Sequence, residues 1–211
     1  VYNAKAGLPE PLSDYSDLAN PVHRGKICIR SSGNIYNISL MASIVSRSGE
    51  VVAEDWASGV VANFARTPQS NDTGQIRAVA SGECQIAIAN TYYLARLSAS
   101  DDPADRAVAS AVNIVFPGQQ SNGTHVNISG AGLVTTAPNP ANAVKFLEYL
   151  TSESAQLLFA NGNNEYPIIP GLAASSAVVA LGDFTEDTLN ASELGVNQPA
   201  AMMVFDRAGW K

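Results

Sequence analysis

The 211-residue chain is 46% hydrophobic and 15% charged, a balance that buries a core and excludes intrinsic disorder. Its net charge of −7 and pI of about 4.7, with Lys and Arg scattered, argue against nucleic acid and against an anionic membrane surface as partners. No apolar run approaches the roughly 20 residues of a membrane span, so direct membrane insertion is not expected.

The opening "VYNAKAGLPEPL" shows neither an initiator Met nor a signal peptide, and reads as a stretch cut from inside a longer protein. "PLSDYSDLANPVHRG" (11–25) is a short helix between turn formers. "KICIRSS" (26–32) alternates as a strand and runs into a Ser-Ser-Gly-Asn loop. "IYNISLMASIVSRSG" (35–49) has helical spacing, with Gly49 where a C-cap belongs, and 50–66 is a second amphipathic helix. A third spans 71–82, with Asp72 as N-cap and Gly82 past its end. "CQIAIAN" (84–90) is a buried strand, and Asn90 can cap the helix that carries Tyr92 and Tyr93.

Strand, helices, strand, helix is the order of an α/β unit with parallel strands. The loops 31–34 and 90–91 both follow strands, so they fall at the carboxyl ends, where open α/β sheets bind ligands. Farther on, "AVNIVFPGQ" and "GTHVNISGAGLVT" read as strands. Helices are predicted from Asn139–Pro140 to Leu150 and from Ser152 to Ala160, then a loop over 161–172 and a last helix in the tail.

Catalytic signatures such as GxSxG, HExxH or a P-loop are missing, so no enzyme is expected. The rival, a tyrosine acting as general base, lacks a visible partner acid or base. His23 and His125, the two histidines, read as locally hydrogen-bonded. Cys28 and Cys84 either form one disulfide in an oxidising compartment or are two buried small hydrophobes; without a CxxC, structural zinc is not indicated. The five N-x-S/T sequons carry no weight in an Asn- and Ser-rich chain.

The tyrosines hold the chemistry. Tyr92 and Tyr93 alone read as half-buried packing residues, but Tyr36 follows the first strand's loop as Tyr92 follows the second. Adjacent parallel strands would bring all three phenols to one cleft. A neutral phenol is a poor ligand, yet a hard trivalent cation stabilises its anion, and ferric iron prefers hard oxygen donors. Arg30 reads either as a cation that lowers nearby phenol pKa values or as a surface residue at a strand end.

"IRSSGNIYNISL", "ANFARTPQSNDTGQIRAVASGECQIAIANTYYLARL" and "GTHVNISGAGLV", in that order and with the closing "FDRAGWK", resemble the periplasmic ferric-iron-binding proteins of bacterial iron(III) ABC importers, the cyanobacterial type above all. The resemblance implies an α/β fold of the two-lobed periplasmic-binding-protein kind (type II), here without the N-terminal part of the first lobe. It implies Tyr36, Tyr92 and Tyr93 as ligands of Fe3+, the transported ion, with a membrane permease as partner, a periplasmic location and a monomeric state. A further family tyrosine, and in some members a histidine, comes from a segment absent here; Tyr2, Tyr15, Tyr149 and Tyr166 do not sit in that motif. Residues 1–118 are expected as the main part of the second lobe, 119–170 as a returning piece of the first, and 171–211 as helices packing back on the second. The 119–170 piece is expected to be the least stable. The alternative is the same scaffold holding an oxyanion, a polyamine or a sugar phosphate.

Overall fold

In the computed structural model, which describes residues 1–69 and 71–211, the chain begins with strand β1 (Tyr2–Asn3) and two 3-10 turns at Tyr15–Ala19 and Pro21–His23. Then come β2 (Ile27–Cys28), α1 (Ile35–Ala62), α2 (Asp72–Ser81), β3 (Ile86–Ala87), α3 (Thr91–Ser98), α4 (Pro103–Ser110) and β4 (Val112–Asn113). The later elements, separated by loops, are α5 (Pro140–Leu150), α6 (Glu153–Asn163), α7 (Ser176–Val179) and α8 (Ala191–Ala208).

The four strands form one sheet in the order β2-β3-β1-β4. β2 and β3 are parallel, with Ile27 opposite Ile86 and Cys28 opposite Ala87, as the strand–helix–strand order predicts. β1, which the sequence reading did not foresee, runs antiparallel to both β3 and β4.

Side chains alternate across a strand, so β2 and β3 each feed two cores. Ile27 and Ile86 point into one, with Met41, Trp56 and Val60 of α1, Val204 and Phe205 of α8, and Trp210. Cys28 and Ala87 point into the other, with Ile76 and Val79 of α2, Leu94 and Leu97 of α3, and Val112. Helices thus cover both faces of the sheet, the α/β layering expected. Cys28 and Cys84 are joined as a disulfide, their Cα atoms 5.8 Å apart, which settles the open pairing.

Local chemistry sets the helix ends. Gly49 adopts φ 80° and ψ 164°, a conformation glycine tolerates, and breaks α1 into the two helices the sequence predicts. Gly82 ends α2 in the left-handed conformation. Asp72 is not the N-cap of α2: Asn71 is, accepting from the Gly74 N–H at 2.9 Å. Likewise Asn90 precedes α3 without a side-chain capping bond.

Residues 119–170 depart most from expectation. The predicted strand over 123–135 reduces to a single bridge, Thr124 to Glu186. Among the described residues its alternating apolar side chains find no strand to pair with, and Ile128, Leu133 and Val134 are exposed. α5 buries no residue, its Phe146 being 58% exposed, while α6 buries only Ala155, Gln156 and Ala160. With so little burial, local opening is cheap. Amide hydrogen exchange over 125–170 is expected to be orders of magnitude faster than over 35–62 and 72–81. Equal protection in the two regions would contradict this.

Candidate metal centre

Because β2 and β3 are parallel neighbours, the chain leaves both at the same edge of the sheet. After β2 it passes through Ile29 to Asn34, whose side chain accepts from the Tyr36 N–H at 3.1 Å and starts α1. After β3 it turns at Asn90 into α3. Tyr36 therefore stands in the first turn of one helix, and Tyr92 and Tyr93 in the first turn of the other. The Tyr36 and Tyr92 ring centres lie 6.5 Å apart, edge to face, and those of Tyr92 and Tyr93 4.4 Å apart. The structure brings together all three tyrosines singled out from sequence, at the wall of a wide cleft that Asn127, Tyr166 and Phe184 also line.

Burial pushes the Tyr92 phenol well above its usual range, and the neighbouring hydroxyls of Tyr36 and Tyr93 push it further. One bond works the other way: the Asn90 amide donates to the Tyr92 hydroxyl at 3.2 Å. Tyr93 is raised by burial first, then by the Tyr36 hydroxyl, with the Asp72 carboxylate contributing. Two guanidinium groups flank the cluster, Arg30 5.3 Å from the centre of the Tyr36 ring and Arg96 5.7 Å from that of Tyr93. Arg30 is thus no idle surface residue: it stacks on Tyr36 and is ion-paired with Asp72 at 3.0 Å.

Without a metal, Tyr92 and Tyr93 are neutral at physiological pH. A cation that bound here would have to displace protons, which a hard, highly charged ion does best. Among the described residues no group of three or more His, Cys, Asp and Glu is placed to hold a metal, so softer ions that favour imidazole or thiolate find no such cluster. His125 is tied up locally: its Nε2 lies 2.9 Å from Ser39 Oγ, and burial pushes its pKa down to about 4. His23 is buried as well. Among the described residues no helix is long and apolar enough to cross a membrane.

Parallel strands leading to helix N-termini at the wall of a cleft, with helices on both faces, define an α/β protein whose cleft lies at the carboxyl edge of its sheet. The family model for bacterial extracellular solute-binding proteins matches residues 5–186, and the chain belongs to that family. Iron uptake protein A1 of Synechocystis sp. is 49% identical over 211 residues, all of this chain and 59% of that protein. Among solved structures, the Trichodesmium protein IdiA (FutA), in complex with iron and citrate, matches with a TM-score of 0.95 and 51% identity, over 100% of this chain and 66% of that one. The ferric binding protein from Campylobacter jejuni matches with a TM-score of 0.95 and 34% identity, over 100% of this chain and 67% of that one. The chain thus spans about three fifths of the length of its curated relative.

Proposed function

We propose that this chain binds ferric iron through the phenolates of Tyr36, Tyr92 and Tyr93 and acts as a solute receptor, not an enzyme, delivering Fe3+ as a monomer to the membrane permease of an ABC importer in the periplasm. The observation that carries the reading is the convergence of three phenols at one sheet edge, 6.5 and 4.4 Å between ring centres. Three phenolates balance the charge of Fe3+, and the cyanobacterial relatives are named for iron uptake.

The domain plan is part of the same proposal. Residues 1–118 form the main part of one lobe, 119–170 belong to the other, and 171–211 return to the first. Support comes from α8, whose Ala201, Val204 and Phe205 share a core with α1 and β2, and from α5, which buries nothing. Closure of the two lobes would sequester the ion, as hinge-bending binders do.

The pH dependence tests the ligand set. Each ligating phenol must lose its proton when the metal binds. Their raised pKa values mean that Tyr92 and Tyr93 hold these protons through the neutral range, so acid opposes binding and alkali assists it. Apparent ferric affinity, corrected for the protonation of a competing citrate, is expected to fall by about tenfold per pH unit for each phenol proton released. Potentiometric titration should find protons released on binding. A flat profile between pH 5 and 8, without proton release, would contradict phenolate ligation.

A further inference from the structure

Behind the tyrosines lies a buried ionic tie that metal ligation does not itself use. Asp72, at the start of α2, is 2% exposed. Its Oδ1 accepts from Arg30 Nη1 at 3.0 Å, and its Oδ2 accepts from the Asn90 N–H at 2.9 Å. Arg30 lies in the loop that leads to Tyr36 and stacks on the Tyr36 ring. Asn90 is the residue before α3, and its side chain donates to the Tyr92 hydroxyl. One carboxylate therefore grips both tyrosine-bearing loops, one oxygen to each. The first loop is held from a second side by Asn37, whose amide donates to the Arg30 and Ser31 carbonyls at 2.9 and 3.0 Å.

A buried carboxylate is costly unless its oxygens are satisfied, and this one is satisfied only while both loops stay in place. Its partners are 42 residues upstream and 18 residues downstream, so the tie is tertiary and not a feature of α2. We infer that Asp72 is a positioning residue for the tyrosine cluster, setting the spacing between the Tyr36 loop and the Tyr92–Tyr93 turn. The inference rests on the proposed ferric site. Groups behind a ligand shell commonly alter metal affinity by roughly 10–100-fold.

The test compares Asp72→Ala with Val79→Ala, which removes apolar volume from the same helix but keeps the Asp72 bonds to Arg30 and Asn90. Ferric citrate is titrated into each, in this chain and in a polypeptide of the relatives' length that carries it. The visible band of ferric tyrosinate and the affinity are read together, with unfolding midpoints alongside. Asp72→Ala is expected to weaken ferric binding by about 10–100-fold and to shift or broaden the band. Val79→Ala should lower the unfolding midpoint while leaving band and affinity at the parent's values. Asp72→Asn, which keeps the shape and one acceptor oxygen, should recover part of the loss, and it carries the test if the alanine variant does not fold. A folded Asp72→Ala or Asp72→Asn with the parent's band and affinity overturns the positioning role alone. So does a Val79→Ala that reproduces the loss. A parent with no band overturns the ferric reading, and the inference with it.

Discussion

Replacing Tyr92 and Tyr93 together by Phe is expected to remove ferric binding while leaving the fold intact. Phe keeps both rings, so the 4.4 Å contact between them and the edge-to-face contact with Tyr36 survive. The structural loss is the acceptor for the Asn90 amide, a hydrogen bond worth about 1 kcal/mol. What disappears is two of the three anionic ligands proposed. The fall in affinity should therefore exceed the roughly 10–100-fold that follows loss of an outer-shell partner. Competition against citrate measures it, with denaturant unfolding as the control. A double variant that holds iron as tightly as the parent would remove these tyrosines from the site.

The largest expected effect on stability is at the Cys28–Cys84 disulfide. It closes a loop across 56 residues, joining β2 to the residues that lead into β3. On the chain-entropy account, such a crosslink stabilises by about 4 kcal/mol, a large part of the 5–15 kcal/mol typical of a domain. Reduction, or Cys28→Ser with Cys84→Ser, should lower the unfolding free energy by that order. Because β2 and β3 also aim the two tyrosine loops, ferric affinity should fall with it wherever the folded fraction falls. A change below about 1 kcal/mol between oxidised and reduced protein would show that core packing alone holds the pair.

The parts legible in the sequence were those set by local rules. Helical spacing, Gly49 and Gly82 marked α1 and α2, and the repeated strand–loop–Tyr pattern marked the three phenols. The parts that escaped depend on distant partners. β1 spans two residues, and only pairing with β3 and β4 makes it a strand. The alternation over 123–135 was a fair strand signal, but within the described residues it found no sheet to join. α4 escapes despite a usable local sign, Asp102 before Pro103, its side chain accepting from the Ala104 N–H. Asp72 read as a cap because its position fits one; its bonds to Arg30 and Asn90 leave no trace in local spacing. Asn90 does stand at the N-cap position of α3, but its side chain makes no capping bond because it is engaged by Tyr92 and by Asn127 at 2.9 Å.

The measurement that bears most directly on the proposed ferric site is the visible absorption spectrum during titration with ferric citrate, taken on this chain and on a polypeptide of the relatives' length that carries it. A tyrosinate-to-iron charge-transfer band that grows to saturation at one equivalent is the expected result. A folded protein of that length that stays colourless at saturating iron would contradict phenolate binding by Tyr36, Tyr92 and Tyr93.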